Sequence, residues 1–209
     1  MLVVKYSKTD GAEFIPHLDT LRHLQKTVIR SKVPVGYSKG FNPHMLIFMS
    51  APIGVGLTSY CEYFYLETDE APDSFIEKFN AYCPGGFKAL FAAKVSKNPN
   101  LQAIIDSAQY FIECDIDQET IDKVLCGKEY RIIDKRGKEL EARSRILSLK
   151  KVDNGLIARL SFGNETLRAD IFAQSLFEKY GVKCTDVIKK ECFIKGEPAD
   201  EYLSKRFGV

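Results

Sequence analysis

The sequence predicts an α+β fold in which one βαββαβ arrangement occurs twice. Three observations carry this. Short alternating or β-branched stretches are interleaved with helical periods in the order strand, helix, strand, strand, helix, strand. The order stops at "SKNPN" (96–100) and then restarts. The chain has 209 residues, 45% apolar and 28% charged, an ordinary composition for one or two soluble globular domains. A repeated split βαβ order is that of ferredoxin-like domains. The expectation is two tandem ferredoxin-like (βαββαβ) domains, residues 1–97 and 98–209.

In the first half, residues 2–7, "LVVKYS", alternate and are β-branched, as a strand requires. From Leu18 to about Ser31, Leu18, Leu21, Leu24, Val28 and Ile29 follow helical spacing, with Asp19, His23, Lys26 and Arg30 on the outer side. "KVPVGYSKGFNP" holds two prolines and two glycines and reads as a loop. "MLIFMSA" and "YCEYFYLET" read as strands on either side of the turn region "PIGVGLTS". Pro72 and Asp73 open a helix to about Tyr82, "CPGG" ends it, and "FKALFAAKV" is the fourth strand. In the second half, "AQYFIECDI" reads as a strand and 117–126 as a short helix. Residues 139–150 and 155–162 read as strands joined by "VDNG", 168–180 as a helix ended by Gly181, and "CTDVIKKECFI" as the last strand.

No apolar run reaches the ~18 residues of a membrane span. The N-terminus "MLVVKYSKTDG" lacks a basic region followed by a long apolar one, so a cytoplasmic location is expected. The six cysteines, Cys61, Cys83, Cys114, Cys126, Cys184 and Cys192, form no C-x-x-C motif and read as reduced thiols. Charge is unevenly distributed around a net +2. Residues 1–50 hold seven Lys/Arg and three Asp/Glu, residues 51–127 five and twelve, and residues 128–151 nine and four. Two basic zones flanking an acidic one could attract phosphate, or could simply be solvated faces.

Two clusters carry candidate chemistry. In "FIPHLD", His17 and Asp19 stand at a helix start. Asp19 suits the helix dipole there, and His17 could be either a site residue or a half-buried ring bonded to backbone. "YSKGFNPH" is shaped as well as polar. Gly40 permits a positive φ, Pro43 fixes φ and favours an extended Asn42. Tyr37, Ser38, Lys39 and Asn42 supply donors, Phe41 a flat stacking face, and His44 an ionisable ring. Glu62, on a strand, could join a histidine as general base or metal ligand, but the spacing has no local ligand signature; no metal or cofactor is expected. In the second half, Glu139, Glu141, Arg143 and Arg145 fall on one face of a predicted strand. Arg168 stands at a helix N-terminus, where it could help bind an anion.

"FIPHLDTLR", "PVGYSKGFNPH" and "SYCEYFYLE", in this order, resemble the bacterial radical SAM-linked family of unknown function. Members of that family occur free or fused behind a radical SAM domain. The family's H-L-D matches His17, Leu18 and Asp19, with its following arginine at Arg22. Its Y-S-x-G-F-N-P-H matches Tyr37, Ser38, Gly40, Phe41, Asn42, Pro43 and His44, and its strand carboxylate matches Glu62. A D-x-R-P pattern falls on Glu141, Ala142, Arg143 and Ser144, and an L-R-P pattern on Leu167, Arg168 and Ala169, each without its proline. Tandem ferredoxin-like domains with a Gly-rich loop are also similar, at fold level, to the CRISPR repeat-processing endoribonucleases.

The resemblance implies an accessory protein that works with a radical SAM enzyme; the leading expectation adds association with RNA, either tRNA or rRNA. In that reading Tyr37 and Phe41 stack on bases, and Arg22, Lys39, Arg143 and Arg168 contact phosphate. One alternative is a stand-alone RNA-processing enzyme using His17 and His44, with Asp19 or Glu62 orienting an imidazole. Another is a protein-interaction module that docks the radical SAM partner. If the two histidine clusters form one site, His17 and His44 should line one cleft.

Overall fold

The computed structural model describes residues 1–134 and 137–207. It is a mixed α+β protein whose chain divides into two compact units, residues 1–104 with 196–209, and residues 105–195. The expected division near residue 98 falls a few residues early, because "SKNPN" leads into a one-turn helix whose buried Leu101 belongs to the first unit. Nor does the second unit run to the C-terminus.

The first unit is built from β1 (Leu2–Lys8), α1 (His17–Arg30), β2 (Ile47–Met49), β3 (Thr58–Leu66), α2 (Pro72–Tyr82), β4 (Phe87–Lys94) and the one-turn α3 (Leu101–Ile104). Its strand order is β4-β1-β3-β2, with every neighbour antiparallel. Register places Tyr6 opposite Glu62 and Phe48 opposite Tyr65. A bulge between Tyr6 and Lys8 re-aims the end of β1.

One face of this sheet, with Leu2, Val4, Tyr6, Phe64 and Leu66, packs beneath α1 and α2. Phe64 lies 6.0 Å from Phe79 and 5.6 Å from Tyr6, centroid to centroid. Each such buried aromatic contributes on the order of 2–3 kcal/mol. The face of α1 that goes inside keeps Leu21, Leu24 and Val28 of the expected stripe but not its two ends. Thr20, Leu24, Thr27 and Val28 are buried, whereas Leu18 and Ile29 are 65% and 59% exposed. Both threonines are admitted because their hydroxyls bond back to the Ile15 and His23 carbonyls, at 3.5 and 2.9 Å. His23, expected on the outer face, is half-buried and stacks on Phe87.

The second unit runs β5 (Ser107–Cys114), α4 (Gln118–Cys126), β6 (Arg131–Ile133), β7 (Glu139–Glu141), β8 (Ile146–Val152), β9 (Gly155–Ser161), α5 (Ala169–Tyr180) and β10 (Cys184–Ile194). Its sheet order is β10-β5-β9-β8, again antiparallel throughout. Asp117 caps α4 by accepting from the Thr120 amide at 2.7 Å. Gly181, at φ 72°, closes α5 with its N–H on the Phe177 carbonyl.

The expected single strand 139–150 is broken. β7 pairs with β6 as a separate hairpin, and Arg143–Arg145 form one tight turn before β8. The cause is Glu141, whose Oε1 accepts from the Tyr130 and Arg143 amides at 3.1 and 2.7 Å and so folds the chain over itself. These amide bonds hold its carboxyl below the usual range. The six cysteines are free thiols, as expected, but Cys114 and Cys184 stand opposite each other across β5 and β10.

After β10 the chain returns to the first unit through α6 (Ala199–Phe207), a helix the sequence reading lacked. Asp200, in its first turn, accepts from the buried Lys5 Nζ at 2.8 Å and from the Tyr63 hydroxyl at 2.6 Å. No helix of the described residues is long and apolar enough to cross a membrane. Asp200→Ala is expected to cost about 3 kcal/mol, because it strips the carboxylate from a buried ammonium. Asp200→Ala combined with Lys5→Met should recover much of that loss. Urea unfolding measures both, and a loss below about 1 kcal/mol would mean the ion pair is incidental.

Candidate functional site

Two features of the first unit hold the expected site residues. The first is the 36–46 segment, which folds as a short hairpin. Tyr37 and Met45 form an antiparallel bridge, and the Ser38 and Leu46 amides donate to the His44 and Gly36 carbonyls at 2.9 Å each. Ser38 braces the loop from inside. Its Oγ accepts from the His44 amide at 3.0 Å and lies 2.8 Å from the His44 Nδ1. The base is tied to the end of β3, with the Gly36 amide on the Glu67 carbonyl and the Thr68 hydroxyl on the Pro34 carbonyl. Gly40 takes φ 134°, which a side chain would strain.

Residues 39–43 therefore project from an anchored stem. Phe41 at the tip is fully exposed, at 106% of its reference surface, and Tyr37 is exposed on the stem. Lys39 and Asn42 are exposed beside it.

The second feature is the start of α1. The Lys8 ammonium, buried beyond the β1 bulge, donates to the Ile15 carbonyl at 2.7 Å. This fixes the chain two residues before His17, which opens the helix behind Pro16. Burial pushes the Lys8 amine below the ordinary lysine value, and the Glu62 and Glu13 carboxylates pull it back up. Glu62 is buried, accepting from the Ser59 hydroxyl at 2.8 Å and the Ile53 amide at 3.3 Å. Lys8, His17, Thr20 and Glu62 line one cavity of about 10 Å³, roughly enough for a single water.

His17 also lines a larger cavity of about 290 Å³, open to solvent along β2, together with Phe48, Met49, Tyr65, Asn100 and Gln102. Its Nδ1 is buried and has no hydrogen-bond partner. A buried polar atom without a partner costs about 1–3 kcal/mol.

The remaining expected residues are placed differently. His44 is not among the residues lining either His17 cavity, so neither cavity unites the two histidines. Asp19 orients no imidazole; it pairs with Arg22 at 2.8 Å on the exposed side of α1. Arg168 grips Asp170 through two bonds of 3.0 and 2.7 Å. Arg143 spends its guanidinium on backbone, reaching the Leu125 carbonyl twice, at 2.9 and 2.6 Å, and the Ile146 carbonyl at 3.1 Å. It thereby satisfies a carbonyl at the C-terminal end of α4. In the same basic zone Arg131 pairs with Glu129, while Lys135 and Arg136 lie outside the described residues. No cluster of three or more His, Cys, Asp or Glu placed to hold a metal occurs among the described residues. Sequence reasoning missed Lys8, Phe48, Asn100 and Gln102. Only the bulge next to Glu62 and the one-turn helix after Asn100 make them neighbours of His17.

A family model described as "Uncharacterized protein conserved in bacteria (DUF2344)" matches residues 1–172. No curated protein matches the chain. Among solved structures, a chain in one described as "Crystal Structure of a Cbf5-Nop10-Gar1 Complex" is similar at 10% identity and a TM-score of 0.49, over 98% of this chain and 56% of that one. The present chain thus spans little more than half the length of that relative.

A lysine whose folded value lies below its ordinary 10.5 binds fewer protons folded than unfolded between the two values. Stability therefore rises with pH across that interval. Lys8→Met should remove this contribution. Glu62→Gln, by deleting a carboxylate that raises the Lys8 value, should start the rise at lower pH. Urea unfolding from about pH 7 to pH 10 measures the slopes. Slopes identical in all three proteins would mean that Lys8 does not titrate between its expected limits.

Proposed function

The chain belongs to the DUF2344 family of uncharacterized bacterial proteins, and from that premise we propose that it is an RNA-associated accessory protein acting beside a radical SAM enzyme. The strand orders β4-β1-β3-β2 and β10-β5-β9-β8 support reading each unit as a ferredoxin-like domain. The second would carry the β6–β7 hairpin as an insertion. The radical SAM partner comes from the resemblance of the "HLD" and "YSKGFNPH" motifs, and the RNA from the chemistry those motifs present.

The single observation that carries the reading is Phe41, fully exposed at the tip of a loop held at both ends. Holding such a ring in water is useful only if something covers it. Lys39 beside it, with Tyr37 below, makes a stacking face with a cation, which suits single-stranded RNA with splayed bases. A duplex keeps its bases stacked and offers this loop only phosphates. Arg22, Arg143 and Arg168 are already engaged by protein groups, so they take a smaller part than Lys39. A stand-alone RNA-processing enzyme is a second reading, favoured by the unpartnered His17 Nδ1 close to Lys8 and Glu62. It would rest on that cluster rather than on a His17–His44 pair.

Fluorescence anisotropy with labelled single-stranded RNA across a salt series tests the proposal. Binding should weaken steeply with salt, because each neutralised phosphate releases counterion. Phe41→Ala should cost about 1–3 kcal/mol of binding. Arg143→Ala should lower stability while leaving the salt slope unchanged. No RNA binding at low salt, together with capture of the radical SAM protein, would favour a docking module instead.

A further inference from the structure

We propose that the cavity beside His17 is a binding site for a single unstacked nucleobase, so that the RNA reading above gains a second contact specific for one base. The inference rests on that reading for its RNA but on the cavity for its chemistry. The wall combines Leu21, Ile47, Met49 and Leu101 with two aromatic rings. Phe48 and Tyr65 stack at 5.0 Å with 19° between their planes, and Phe48 keeps 43% of its surface exposed. A half-exposed ring lining a cavity can stack a further planar ring.

The lining also has polar groups. Asn100 and Gln102 carry amide groups, each able to donate and accept, and His17 contributes an imidazole. No Lys, Arg, Asp or Glu lines the cavity. A phosphate or a charged side chain would find no counter-charge there. A purely apolar side chain from a protein partner would bury the amides without matching them, at a cost. A heteroaromatic ring with donors and acceptors on its edge satisfies both wall and polar groups, which is how single-stranded RNA bases are recognised.

Size agrees. At about 290 Å³ the cavity stands at the low end for ligand sites, with room for one ring system rather than a run of nucleotides. His17 adds a further polar edge, since its imidazole lines this cavity as well as the small one beside Lys8 and Glu62. Phe48 also follows closely on the Phe41 loop, as the middle residue of β2. A strand stacked on Phe41 could therefore send a base toward β2.

The test titrates adenosine, guanosine, cytidine and uridine separately into the isotope-labelled full-length protein, watching the His17 ring, Phe48 and Gln102 by NMR. At least one nucleoside should shift all three saturably by about 10 mM, as a millimolar site requires. Phe48→Ala should weaken it by roughly five- to 150-fold, the effect of losing one stacking face. Phe177→Ala, at an exposed ring of α5, should leave it unchanged. Phe48 is partly covered by its stack on Tyr65, so the amide spectrum of Phe48→Ala is checked for an intact fold before titration.

The proposal is overturned if no nucleoside shifts these groups, if Phe48→Ala has no effect, or if N-acetyl-phenylalanine amide binds there more tightly than every nucleoside. The two readings fail separately. RNA bound through Phe41 with no nucleoside response removes the base site alone. Nucleoside binding without affinity for an RNA strand supports the base site and removes the loop reading.

Discussion

The first unit is organised by one constraint: β1 lies inside its sheet, is buried along its whole length, and carries two lysines. An ammonium out of water is costly unless paired or hydrogen-bonded. Lys5 meets Asp200, and this draws the C-terminal helix back onto the unit that opens the chain. Lys8 meets the Ile15 carbonyl, and this fixes where the chain turns into α1. The bulge between Tyr6 and Lys8 separates the two solutions. It brings the strand end toward Glu62, whose charge is itself met by Ser59 and an amide.

His17 inherits its position from this arrangement. It follows Ile15 by two residues, so the group that satisfies Lys8 also places the imidazole over two cavities. The "GFNP" loop is built on separate supports, the end of β3 and the Ser38–His44 brace. One unit thus presents a rigid exposed aromatic and, a few residues later, a half-exposed aromatic beside polar amides. In the second unit two arginines named above are held by protein groups. Arg143 closes the end of α4, and Arg168 is locked to the first turn of α5.

Much of the architecture was legible in the sequence because local signals agreed. Alternation marked the strands, Pro72 and Gly181 marked helix ends, and Gly40 with Pro43 marked a shaped loop. What was not legible depended on partners distant in sequence or on side chains that disguise their polarity. Thr20 and Thr27 fell outside the apolar period, yet their hydroxyls bond the Ile15 and His23 carbonyls and both are buried. Nothing in the local sequence marks Lys5 and Lys8 as buried; the Asp200 carboxylate and the Ile15 carbonyl that meet them lie elsewhere in the chain. The break at 142–145 follows from Glu141 accepting two amides, which no periodicity announces. The same limit applies to the site. The aromatic loop was readable as a motif. The partners of Arg22, Arg143 and Arg168, and the amides beside His17, were not.

The central functional claim is that RNA is held on the Phe41 loop. Its most direct measurement is ultraviolet crosslinking of the full-length protein to single-stranded RNA, with the crosslinked residues located by mass spectrometry. The account predicts adducts concentrated on Phe41 and Tyr37, lost when Phe41 is replaced by alanine. Adducts confined to other parts of the chain, or unaffected by that replacement, would contradict it.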